Sequence, residues 1–177
     1  MALPALATAF LASERPKRGA ETERNDGIVV LPSPACDSIA VPPGNRLSCH
    51  VYALGVQIYR WNGIAWEHLS PEAMLFADVC HDRQIGILYA GPTWEADDGS
   101  KISGVPLNSC APFRGAIPWA LLKATPTGDP GTLSRVTFIQ RVNTIGGTAP
   151  AELGAFVGDE ARVPYTTEYY FYRRSKT

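Results

Sequence analysis

The run Trp94-Glu95-Ala96-Asp97-Asp98-Gly99-Ser100 sets an indole beside three carboxylates. An aromatic face with acids around it is chemistry that suits a sugar, a cation or a basic protein surface. Glu95 with Asp97 or Asp98 also has the composition of a glycosidase pair, in which an acid and a base or nucleophile stand about 5–10 Å apart. A plainer reading competes: Asp98-Gly99 supplies tight-turn geometry and leaves the acids in solvent. The twelve-residue ligand spacing of an EF-hand is missing.

A second polar group closes the run Val136–Asn143, where Gln140, Arg141 and Asn143 interrupt apolar neighbours. Gln140 shares a face with Val136 and Phe138, so it must be hydrogen-bonded if buried. Such a group either locks a sheet internally or lines a ligand pocket. Tyr165, Tyr169, Tyr170, Phe171 and Tyr172 form an aromatic run suited to core, oligomer interface or recognition surface. Trp94, Glu95, Asp97, Asp98, Arg141, Asn143 and Tyr165 are therefore the candidates for a ligand or partner surface.

No catalytic residue or cofactor is assigned. His50, His68 and His81 lack the i, i+4 spacing of a helical metal site, and Cys36, Cys49, Cys80 and Cys110 contain no C-x-x-C pair, so no metal site is expected. Cys80-His81-Asp82 names a nucleophile, a base and an orienter, but three consecutive side chains cannot form a relay. No G-x-S-x-G elbow or phosphate-binding glycine loop occurs. The four cysteines permit three disulfide pairings; Cys36 with Cys49 and Cys80 with Cys110 would close the shortest loops.

The elements that must position these residues are strands. From Leu47 to Trp61, Tyr52, Leu54, Val56 and Ile58 alternate with Ala53, Gln57 and Tyr59, the two-residue period of a pleated strand. Gly55 within it suggests a bulge or a close backbone approach. Asn62-Gly63 is a hairpin signal with Ile64–His68 returning. Ser70-Pro71-Glu72-Ala73 has the serine cap and early proline of one helical turn. Gln84–Ala90 predicts a strand with Ile85, Ile87 and Tyr89 inward, and Lys101–Val105 another after Asp98-Gly99. Ala116–Ala124 suits a buried strand or a short helix equally. Thr132–Asn143 and Arg162–Arg173 complete the set. Seven or more strands at short intervals, punctuated by 16 Gly and 15 Pro, predict an all-β fold: an antiparallel sandwich or partly closed barrel with at most one or two short helical turns.

A length of 177 residues with 45% hydrophobic and 19% charged residues fits one folded domain, assigned to residues 28–177. Residues 1–13 are apolar but shorter than the roughly 20 residues of a membrane helix. With the polar stretch to Gly27 they make a segment, residues 1–27, that is either signal-like or a docking arm. Sixteen Lys plus Arg against seventeen Asp plus Glu give a net charge of -1, so no overall positive field gathers nucleic acid.

Several blocks occur in a telling order: Ala53-Leu-Gly-Val-Gln-Ile-Tyr59, Ala90-Gly-Pro-Thr-Trp94, Ala116-Ile-Pro-Trp119, Phe138-Ile-Gln-Arg-Val-Asn-Thr144, and Val163-Pro-Tyr-Thr166 with Tyr169-Tyr-Phe-Tyr-Arg173. Over residues 46–174 the chain resembles a microbial domain-of-unknown-function family, usually secreted, whose members are often automatically named malate dehydrogenase. The resemblance implies no functional residues. A nicotinamide enzyme of that kind needs a βαβ unit with a G-x-G-x-x-G turn, which this sequence lacks, so the dehydrogenase label is rejected.

Together these readings favour a non-enzymatic, extracytoplasmic domain that binds or assembles, with a protein partner (itself or a larger assembly) first and a small ligand or carbohydrate second. The alternatives are a carbohydrate-active hydrolase or lyase with an acidic and aromatic pocket, and an accessory subunit of a membrane-associated complex that touches the membrane only through the N-terminal arm.

Overall fold

The computed structural model describes residues 29–176. The signal-like or docking arm, residues 1–27, lies outside the described residues, as does Ile28.

Eight antiparallel strands close into one barrel in sequence order: β1 Asn45–Trp61, β2 Trp66–Phe76, β3 Gln84–Tyr89, β4 Thr93–Ala96, β5 Lys101–Cys110, β6 Trp119–Pro126, β7 Val136–Gly146 and β8 Glu160–Arg174. Between the two architectures the sequence allowed, the fold is therefore the barrel. Closure pairs β1 with β8 over nearly their full lengths, which removes the edges an open sheet would carry. Among the described residues the helical content is a single 3-10 turn, Pro34–Ile39, and no helix is long and apolar enough to cross a membrane.

Side chains from every strand fill the barrel: Val51, Ala53, Leu75, Leu88, Trp94, Ile102, Leu122, Ile139, Tyr169 and Phe171 are all buried in one cluster. Large and small residues alternate so that the layers interdigitate. Gly104 shows why. A Cβ there would stand 2.7 Å from Cζ3 of Trp94, so the indole occupies the space a side chain would take. Gly55 is the close approach its position suggested, because a Cβ on it would meet the backbone of Glu72 and Ala73 on β2.

The structure decides which face of each strand turns inward. On β1 the inner residues are Val51, Ala53, Gln57 and Tyr59, whereas Leu54 faces out and is 38% exposed. On β3, Gly86 and Leu88 are buried and Ile87 is 40% exposed, so of the expected Ile85, Ile87, Tyr89 face Ile85 packs against the core and Ile87 turns out. The cause is register: Leu88 pairs with Trp94, and paired residues share a face, so the inward indole brings Leu88 with it. On β7 a register shift between Val136 and Phe138 puts Ile139 and Arg141 inside, while Gln140 and Val142 face out.

Those outer residues are covered by the segment preceding β1. Val29, Leu31, Cys36, Ile39 and Val41 form a strap over the outside of the barrel, against Trp119, Leu121, Phe138, Val142 and Tyr170. Residues Trp119–Leu122 are thus buried on both faces, the reason their pattern failed to distinguish strand from helix; the segment is strand. Gln140 is satisfied there. Its Nε2 donates to the Ile39 carbonyl at 2.9 Å, and its Oε1 accepts from the Tyr172 hydroxyl at 3.1 Å.

A disulfide joins Cys36 in the strap to Cys110 at the end of β5, and Cys49 and Cys80 are free thiols. This pairing is neither of the short-loop pairs, Cys36–Cys49 and Cys80–Cys110. Loop-closure entropy grows only with the logarithm of loop length, so tertiary packing decides the partner. Ser70-Pro71-Glu72-Ala73 is also corrected from helical turn to strand. Pro71 sits beside a register shift, where the loss of one ladder donor is tolerated, and Pro106 on β5 is placed the same way.

Candidate functional site

The two shifts beside Pro71 and Pro106 share one end of the barrel. There Leu69 and Leu107 are the unpaired extra residues, and a bulge bends its strand and opens a rim. The result is a cup of about 720 Å³ running into the barrel interior, lined by Gln57, His68, Leu69, Pro71, Pro92, Trp94, Pro106, Leu107, Pro118, Arg141 and Tyr169 among others.

Its polar groups come from strand alternation. Gln57 of β1, 2% exposed, lies among inward apolar residues, and its Oε1 is 2.6 Å from Nε2 of His68. An amide oxygen only accepts, so His68 carries its proton on Nε2. Partial burial, with the Arg141 guanidinium nearby, holds His68 below its ordinary 6.5 and favours the neutral ring. Arg141 donates through Nε and one terminal nitrogen to the Pro118 carbonyl, at 3.2 and 2.8 Å. That bond aims the guanidinium at the cup mouth. Burial pushes the hydroxyls of Tyr165 and Tyr169 up, so both stay neutral.

Two features mark this cavity as polar but incomplete. Among the described residues no Asp or Glu lines it, and Arg141 is in no ion pair. A half-buried cation without a counter-charge costs free energy that an incoming anion recovers. The indole Nε1 of Trp94, 1% exposed, has no acceptor among the described residues. The Tyr165 hydroxyl and the Gln57 amide nitrogen are within electrostatic reach of each other but lack good hydrogen-bond geometry.

Of the residues singled out in the sequence, Trp94, Arg141 and Tyr165 meet inside the barrel, with Trp94 and Arg141 lining the cup. Trp94 is no open platform: Tyr169 packs edge-on to it at 5.3 Å and Phe171 at 6.3 Å. Glu95 points the other way along β4, to Nζ of Lys101 and the Tyr89 hydroxyl, each at 3.0 Å. Asp97 and Asp98 lie at the opposite barrel mouth. Asp98 accepts from Ser100 Oγ and N at 2.5 and 3.0 Å and from Thr132 Oγ1 and N, both at 2.7 Å. These bonds, those from Ser100 Oγ and Thr132 Oγ1 foremost, hold it far below the usual carboxylate range, as a structural clamp between loops. Asn143, at φ +52°, donates to Glu168 on the outer surface at 2.9 Å.

Glu95 is tied to Lys101 and Tyr89, and Asp97 and Asp98 line the other mouth, so the structure does not bring Glu95 with Asp97 or Asp98 into the cup beside Trp94 and Arg141 as a glycosidase pair. The Cys80-His81-Asp82 run is a loop in which the His81 ring tilts onto Phe76 at 4.8 Å, away from any relay. The thiol and carboxylate atoms of Asp78, Cys80 and Asp82 gather within 4.8 Å of one another, but Asp78 accepts the backbone N–H groups of Asp82 and Arg83 and so caps that loop.

Gln57, His68 and Tyr169 are site residues that inspection of the sequence did not assign. Gln57 carried a signal, a lone amide in an apolar strand. His68 carried none, because only the β1–β2 register brings it to Gln57.

Residues 42–173 match the model of a family described as "Protein of unknown function (DUF3455)". No curated protein and no solved structure matches the chain.

Proposed function

The chain belongs to this family of unknown function, and on that basis we propose that it is a non-enzymatic binding barrel whose cup takes a small organic anion, a carboxylate on an apolar body. The observation that carries this reading is Arg141: a guanidinium held toward the cup by the Pro118 carbonyl, with no acid on the described lining to neutralise it. A carboxylate matches its planar fork, and the Trp94 indole N–H and the neutral His68 offer further polar contacts. The apolar body is supported by the rim. Pro71, Pro92, Pro106 and Pro118 give it no N–H donors, and Ile64, Phe113, Phe156 and Val157 stand exposed on loops at this end.

His68 has no carboxylate or thiol beside it on the described lining, an arrangement that suits binding better than catalysis. An extracytoplasmic location accords with the Cys36–Cys110 bond, since disulfides persist in oxidising compartments.

Calorimetry with benzoate and octanoate, and with benzamide and octanamide as neutral counterparts, tests the reading. The carboxylates are expected to bind saturably and the amides at least ~10-fold more weakly, the factor a charge-assisted hydrogen bond carries. Arg141→Gln is expected to abolish the difference. Equal binding of acids and amides, or acid binding that survives Arg141→Gln, would overturn the proposal.

A further inference from the structure

The basic residues of the barrel are distributed unevenly. Arg60 and Lys101 each pair with a carboxylate on a neighbouring strand, Arg162 reaches across β1 to Glu72 on β2, and His50 pairs with Glu168. Among the described residues, Arg46, Arg135, Arg173, Arg174 and Lys176 have no such acid. These five line a single cleft of about 260 Å³ with Thr137, at the mouth opposite the cup, where β1 and β7 begin and β8 ends. The whole chain carries a net charge of -1, so this concentration of positive charge is local.

Register fixes the centre of the cluster, the Arg46–Arg173 pair, and Arg135, Arg174 and Lys176 join it from the strand ends around the cleft. Arg46 stands directly opposite Arg173 on the β1–β8 ladder, and Asn45 opposite Arg174. Like charges at directly opposed positions repel, and a counter-charge between them relieves the repulsion. Within the cleft Nε of Arg173 is buried and has no acceptor among the described residues. Thr137 does not supply one: its hydroxyl lies 2.8 Å from Oδ1 of Asn45 and 3.2 Å from the Tyr172 carbonyl, and so braces the wall.

From this arrangement we infer a second anion site, distinct from the cup, that takes a doubly charged oxyanion: a phosphate monoester or a sulfate. Guanidinium forks match the oxygens of such groups, several around one centre neutralise two charges, and a carboxylate would leave most of them unpaired. The same chemistry is offered by a free phosphorylated compound and by a phosphomonoester lipid headgroup.

The test titrates the full chain with pyrophosphate at constant ionic strength, using sodium chloride and acetate as controls and following heat and thermal midpoint. Vesicles of phosphatidic acid and of phosphatidylcholine form a parallel arm. Saturable pyrophosphate binding is expected, weakened at least ~100-fold in the triple variant Arg46→Gln, Arg135→Gln, Arg174→Gln, since each charge-assisted hydrogen bond removed weakens binding about tenfold. The single exposed change Arg174→Glu gives the same direction with little risk to folding, and undiminished benzoate binding in the cup shows that either variant retains the barrel. Sedimentation with phosphatidic acid vesicles, abolished in the triple variant, assigns the group to a lipid; pyrophosphate binding without sedimentation assigns it to a soluble compound. No saturable pyrophosphate effect beyond the chloride control, or one unchanged in the triple variant, would overturn the inference.

Discussion

Breaking the Cys36–Cys110 bond is the perturbation whose magnitude follows most directly from the fold. The two cysteines are 74 residues apart, and for a loop of that length the chain-entropy relation gives a stabilisation of about 4.5 kcal/mol. That is a large part of the roughly 5–15 kcal/mol net stability of an ordinary domain. At ~2–4 °C per kcal/mol for a chain of this size, reduction should lower the thermal midpoint by about 9–18 °C. Urea unfolding with and without reductant, followed by tryptophan fluorescence, reads the difference, because Trp119 lies under the strap in the same cluster as both cysteines. Non-reducing peptide mapping establishes the pairing. Alkylation of the native protein should modify exposed Cys80 first, and Cys49 slowly, since burial pushes its thiol up to about 11. Coincident unfolding curves after verified reduction would refute the entropy argument. A peptide joining Cys80 to Cys110 would refute the placement of the strap.

Two further outcomes test the barrel interior and its loops. Gly104→Val should cost about 1–3 kcal/mol in urea unfolding, because the added methyls enter space held by the Trp94 ring and overpacking strains a filled core. Asp98 is held well below its unfolded value of 3.8, so the stability it supplies is present above that pH and is lost as pH falls through the lower folded value. Asp98→Asn should therefore lower the thermal midpoint at neutral pH and flatten its acid-side decline; an unchanged decline would remove Asp98 as the clamp between the Ser100 and Thr132 loops.

Much of the fold was legible because strand alternation and turn residues are local signals. Asn62-Gly63 and Asp98-Gly99 mark turns that the structure contains, with Gly63 and Gly99 at positive φ. Gly55 marks a close backbone approach. What failed were inferences that treated each segment alone. The helical turn at Ser70–Ala73 had sound local chemistry, but β1 and β3 on either side recruit it into the sheet. Arg141 and Trp94 were visible as unusual residues, while the sequence did not show that Trp94 lines the cup and that Asp97 and Asp98 line the other mouth. Successive side chains on a strand point to opposite faces, so the aromatic goes in and Glu95 goes out.

The amino-acid sequence by itself determined an all-β chain with tight turns, a hydrophobic content sufficient for one core and no nucleotide cradle, because a two-residue rhythm and turn chemistry act within a few neighbours. Only the tertiary structure decided that the sheet closes, which face of each strand is the inside, that Cys36 meets Cys110, and that Arg141 enters a cup whose described lining holds no carboxylate. Those facts depend on register between segments tens of residues apart, and register is set by simultaneous packing of all eight strands rather than by any one of them.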